Sequence, residues 1–178
     1  MTRPWRRGAD KFALPALIVG LAISFPGHVS GGATKTAVEG QALYAHFVSV
    51  ASEFFDRAGG YHFRHMVVTW DEFSLSGKGI DNFQGTATAD CTGNVDNVVD
   101  GTGPFSGILI VRAGNQQVVW EGHFNARLVG WFATVAVTAH GKGPFEGKLL
   151  QLEMVEIPNA DPFVDDMDLT GQIIDLGR

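Results

Sequence analysis

Four polar side chains recur at every second position along one stretch of the chain: Glu121, His123, Asn125 and Arg127, separated by Gly122, Phe124 and Ala126. On an extended strand successive side chains alternate, so these four share one face while Trp120, Phe124, Ala126 and Leu128 share the other. A carboxylate beside an imidazole, an amide and a guanidinium can orient a substrate. Glu121 or His123 would then move a proton, with Asn125 and Arg127 holding the molecule. The competing reading is plainer. A half-buried strand puts apolar side chains inward and polar ones outward by default, so the same stripe is also the solvated wall of a sheet.

A second candidate is Glu153, which lies with Glu156 in an otherwise apolar run, Leu149–Ile157. Odd and even positions face opposite ways, so one of the two glutamates points inward. Glu153 inside a closed apolar cavity would have a raised pKa and would serve as a general acid or base, or as an anchor for a ligand. Its alternative is a strand-end carboxylate near solvent. Trp70, Trp120 and Trp131 suit either core packing or an apolar cavity that grips a flat or greasy molecule.

Metal chemistry finds little support. His62 and His65, three apart on a strand, project to opposite faces unless a bulge intervenes. His140 sits beside a glycine turn with no evident second ligand. Asp161, Asp165, Asp166 and Asp168 form an acidic loop with enough oxygens for calcium, but without the glycine and terminal glutamate of an EF-hand loop. No metal site and no cofactor are therefore expected. A Gly-x-Ser-x-Gly elbow, a phosphate-cradling loop and a dinucleotide fingerprint are all missing from the sequence.

The elements that must position these residues are announced by a phrase used twice, Gly-Thr-Gly-Pro-Phe-Ser-Gly at 101–107 and Gly-Lys-Gly-Pro-Phe-Glu-Gly at 141–147. A looser copy runs from Gly79 to Gly85. Each combines a glycine turn, a proline of fixed φ, an aromatic that plugs a core and a glycine that admits close backbone approach. Strands are expected at Tyr61–Trp70, Asn82–Cys91, Phe105–Arg112, Gln117–Val129, Phe132–His140, Gly147–Ile157 and Leu169–Leu176. Hairpin-sized gaps make neighbours antiparallel. The fold class that follows is all-β: a small antiparallel closed barrel of about eight strands, calycin-like, with the two heptads at equivalent corners. Between Thr34 and Arg57, Leu43, Phe47, Val50 and Phe54 recur at three- and four-residue spacing, which favours a short amphipathic helix over a first strand. Residues 34–60 are accordingly read as a helix or a first strand, and 61–178 as the barrel domain.

The opening segment has the order of a secretory signal. Arg3, Arg6, Arg7 and Lys11 precede an apolar run from Phe12 to Phe25, followed by small residues and a cleavage point expected after Ala33. The run is shorter than the about 20 residues a bilayer-spanning helix needs, so no stable membrane span is expected after processing, and the location is secreted or periplasmic. Removing residues 1–33 shifts the net charge from −6 to −9. No basic cluster survives to bind nucleic acid. Cys91, the only cysteine, is read as a buried, inert thiol.

The Gly-Thr-Gly-x-Phe-x-Gly turn, repeated between strands, resembles that of allene oxide cyclase-like and dirigent-like β-barrels. The resemblance implies an eight-stranded barrel with a largely apolar interior, often dimeric or trimeric, that holds a small hydrophobic molecule of lipid-like or phenolic kind. No stretch matches the family's catalytic residues, so none is carried over. Avidin- and lipocalin-like barrels share the topology class. Three functions follow as expectations: an exported barrel binding a small apolar or aromatic molecule in its interior, a cofactor-free isomerase or cyclase, or a structural or interaction module of the cell envelope. A homo-oligomer is among the expected partners.

Overall fold

The computed structural model describes residues 33–78, 80–158 and 165–177. The expected signal segment lies outside them except for Ala33, as do Gly79 of the third glycine phrase and Asp161 of the acidic loop. Eight strands follow one another: β1 (Thr34–Phe55), β2 (Tyr61–Gly77), β3 (Ile80–Val95), β4 (Gly103–Ala113), β5 (Val118–Val129), β6 (Phe132–Gly141), β7 (Lys148–Glu156) and β8 (Met167–Asp175). Each pairs antiparallel with the next, and β8 closes on β1 to complete a barrel. The strands alternate as the sequence requires. In β6, Val135, Val137 and Ala139 are buried while Thr134, Ala136 and Thr138 are exposed.

The barrel is strongly sheared. Cross-strand partners followed from His46 through Thr69, Thr88, Ile110, Glu121, His140, Leu149 and Ile174 return to β1 at Lys35, eleven residues before the start. Such a stagger goes with steeply tilted strands, and in an eight-stranded barrel it leaves an interior that side chains can fill or that can hold one small ligand. One end carries the connections β1–β2, β3–β4, β5–β6 and β7–β8. The other carries β2–β3, β4–β5 and β6–β7, together with Thr34 and Asp175.

Residues 34–55 are a strand, correcting the helix favoured for this stretch. The helix-like spacing arises from two irregularities. Tyr44 adopts φ 56°, and the register with β2 shifts between Phe47 and Ser49. At Tyr44 the alternation slips on β1 and β2 together with their register unchanged, and between Phe47 and Ser49 β1 gains a residue, so the positions opposite inward-facing β2 residues are Ala42, Ala45, Phe47 and Val50, a period of two that slips twice and imitates three-to-four. The first strand is thus part of the barrel wall, and the barrel starts at Thr34.

The repeated heptads also differ from expectation. They sit at opposite ends, and their backbones diverge: Gly103 and Pro104 open β4, whereas Gly143–Phe145 form a short 3₁₀ turn before β7. What they share is the plug. Phe105 packs between Phe63 and Phe124, with ring centroids 6.3 and 6.0 Å away. Phe145 stacks on Trp120 at 4.8 Å and meets the edge of Phe83 at 5.9 Å. Each end of the barrel receives one phenylalanine.

Candidate functional site

The interior is packed. Trp120, Phe73, Leu75, Leu109, Leu150, Met154, Met167 and Leu169 are each less than 2% exposed, and no polar or charged residue is buried among those described. Of the clefts among the described residues, the two best formed measure about 60 Å³, beside Ala45, Phe47, Met66 and Val68, and about 210 Å³, beside Ser74, Asn82 and Phe83. Both fall below the ~300–1,000 Å³ of a small-molecule site. Neither is an interior cavity lined by the tryptophans.

Each expected site residue has a definite place. Glu121, His123, Asn125 and Arg127 do share one face of β5, but it is the outer one, since Gly122 and Phe124 face in. Glu121 is half-buried and forms an ion pair with Lys142, whose ammonium holds its carboxyl below the usual range. Glu153 is exposed between buried Leu152 and Met154, so it is not an interior acid. The inward-facing member of the pair is Glu156. At the barrel rim it accepts the backbone N–H of Ala133 at 2.8 Å, and burial raises its pKa. Trp70 and Trp120 are core residues, at 7% and 0% exposure. The Trp70 indole donates to the carbonyl of Asp165 at 2.9 Å, while the Trp120 indole N–H is buried with no acceptor among the described residues.

His62 and His65 depart from their expected opposite faces. His65 has φ 49°, and the register with β3 shifts between Phe63 and Met66, so both imidazoles reach the outer face. They serve separate partners there. His65 Nδ1 lies 3.2 Å from the Asp90 carboxylate. His62 has Nε2 3.0 Å from Asp56 Oδ2 and Nδ1 2.6 Å from Asn94 Oδ1, with its ring stacked on Phe54 at 4.6 Å. Asp56 also accepts the N–H groups of Ala58 and Gly60, which clips the β1–β2 turn. Hydrogen bonds accepted by Asp56 and Asn94 raise the His62 pKa, and His62 in turn lowers that of Asp56. This clip was not legible in the sequence, because Asn94 is brought to His62 only by strand pairing. Cys91 is buried, donates to the Met66 carbonyl at 3.1 Å, and burial pushes its pKa up to about 12.

The remaining expected site residue, Trp131, stands out by exposure and backbone. It is 49% exposed in the β5–β6 turn, where Gly130 (φ 64°) and Trp131 (φ 69°) make the left-handed pair of a tight hairpin. A tryptophan in that region is strained by roughly 1–3 kcal/mol. It is held there by Gly101. The Trp131 N–H donates to the Gly101 carbonyl at 3.0 Å, and a Cβ on Gly101 would sit 2.3 Å from Trp131 Cδ1. Phe132, Val129 and Val99 are also exposed at this end, and the β3–β4 loop is tied to the β1–β2 turn by a Val98–Gly59 hydrogen bond of 3.2 Å. The rim thus presents apolar side chains on mutually braced turns. Comparison with family models, with curated proteins and with solved structures gives no match for this chain.

Proposed function

We propose that the chain is an exported interaction module of the cell envelope, binding a partner protein through the rim around Trp131 and Phe132 rather than a small molecule through its interior. The observation that carries this reading is the contrast between a barrel filled to below 2% exposure at its centre and a strained, half-exposed tryptophan braced at one end. Strain of this kind is retained where surrounding structure over-determines it, and it concentrates at binding and switching sites. A rigid aromatic presented with little rotamer freedom makes an efficient interface anchor. Export is supported by the order of residues 1–33 and by the start of β1 at Thr34, so that cleavage after Ala33 would leave all eight described strands whole. The resemblance to allene oxide cyclase-like barrels enters this proposal only at the level of the barrel, since the guest chemistry of such proteins needs space inside.

Photo-crosslinking in the protein's own host tests the reading. A crosslinker at position 131 or 132 is expected to give a discrete protein adduct, and one at position 123 on the outer wall none. Native mass spectrometry of the purified protein should show the chain beginning at Thr34 without a bound small molecule. A co-purifying apolar ligand, with no adduct from the rim, would return the interior-binding or cyclase reading to first place.

A further inference from the structure

We infer that two copies of this chain associate through the free edge of β1, residues 47–55, pairing antiparallel about a twofold axis. Strand β1 has β2 beside it from Val38 to Phe55 but β8 beside it only from Thr34 to Ala42. Beyond Ala42 one edge of β1 has no strand neighbour among the described residues. The Ala45 N–H is taken by the Asp166 carboxylate at 3.2 Å, which leaves the run from Phe47 onward. An edge of this length presents backbone donors and acceptors ready to extend a sheet.

Such edges are ordinarily guarded by lysine, proline or inward-pointing charge. Apart from the bulge between Phe47 and Ser49, this one is open: between residues 43 and 55 there is no lysine, arginine or proline, and the one formal charge, Glu53, accepts the hydroxyl of Tyr61. Side chains along it are instead exposed and apolar: Tyr44 at 61%, Phe47 at 57%, Val48 at 54%, Phe54 at 56% and Phe55 at 69%. With about 150–250 Å² to bury per aromatic, two copies would together cover on the order of 1,000 Å², the threshold for a specific interface.

The charge pattern points to a second copy as occupant. Like molecules of negative net charge, −6 for the whole chain and −9 without residues 1–33, repel one another, and they can meet closely only where the surface is nearly uncharged, as here. The strip offers no cluster of charge that would select an acidic or basic partner. Antiparallel pairing of identical edges is self-complementary, and because the barrel is closed elsewhere, one such edge gives a closed dimer rather than a fibre.

Sedimentation equilibrium of the full chain as purified should find a dimer at micromolar concentration. Phe47→Lys combined with Val48→Lys should make it monomeric with its circular-dichroism spectrum unchanged. Hydrogen exchange on the unaltered protein covers the case of a misfolded variant: amides of residues 47–55 should slow by roughly tenfold from dilute to concentrated samples, as mass action requires. Trp131→Ala, which should remove the rim adduct, leaves the dimer intact, so the two proposals fail separately. A monomer at all concentrations, a dimer that survives both lysines, or concentration-dependent protection confined to other strands would overturn the inference.

Discussion

His62 shows how much a single side chain does at the rim. Both ring nitrogens face oxygen acceptors, which suits the doubly protonated imidazolium. Its pKa is raised from the ordinary 6.5, so the stability it lends is fully present below pH 6.5 and is lost as pH rises through the folded value. Asp56 is lowered from 3.8, so its contribution is present above pH 3.8 and is lost as pH falls through its folded value. Asp96 adds its field to the same imidazole. The clip is therefore strongest between those limits, and the difference in melting temperature between the native protein and His62→Gln should shrink as pH rises above the His62 pKa; a difference that grows with pH would reverse the assignment. Trp120 makes a different case. Trp120→Ala should cost about 3–5 kcal/mol in denaturant unfolding. Trp120→Phe should cost only about 1 kcal/mol, because removing an indole N–H that has no acceptor relieves a desolvation penalty of ~1–3 kcal/mol and offsets the lost volume.

At the scale of elements, the glycine phrases matter through contact rather than chemistry. A Cβ on Gly107 would lie 2.0 Å from the Asp90 carbonyl oxygen of the neighbouring strand, whereas one on Gly114, in the β4–β5 turn, meets nothing within 4 Å. Gly107→Ala should therefore destabilise by about 1–3 kcal/mol through forced strand separation. Gly114→Ala should be neutral or stabilising by up to about 1 kcal/mol through the unfolded chain. Equal effects in thermal unfolding would mean that the β3–β4 pair gives way more easily than its spacing implies. The same local logic explains β1: its two irregularities are invisible to a periodicity count, which is why the stretch reads as helical until its neighbours are in place.

For the whole molecule, closure decides which surfaces remain open to a partner. Seven strands of the meander were legible because alternation and hairpin-sized gaps are local, and each lies within a few residues of its expected place except where β2 and β3 run longer. Whether the resulting barrel is hollow was not legible, since it depends on how rings from different strands meet across the axis. Phe63, Phe105 and Phe124 come from three strands, and Phe83, Trp120 and Phe145 from two strands and a turn, and each group packs across one end of the interior. With the centre packed, the two surfaces proposed for interaction lie outside it, at the rim around Trp131 and along the open edge of β1. The crosslinking and association experiments address those two surfaces at this scale.

By itself, the amino-acid sequence determined an all-β antiparallel barrel, the alternation that puts Glu121, His123, Asn125 and Arg127 on one face, and the plugging role of Phe105 and Phe145. These rest on period-two geometry and turn chemistry, which act over a few residues. Only the tertiary structure decided that this face is the outer one, that Glu156 rather than Glu153 turns inward, that His62 meets Asn94, and that β1 outruns β8. Each of those depends on register and shear, where one inserted residue reverses every side chain beyond it, and register is set by the fit of distant strands around the closed barrel.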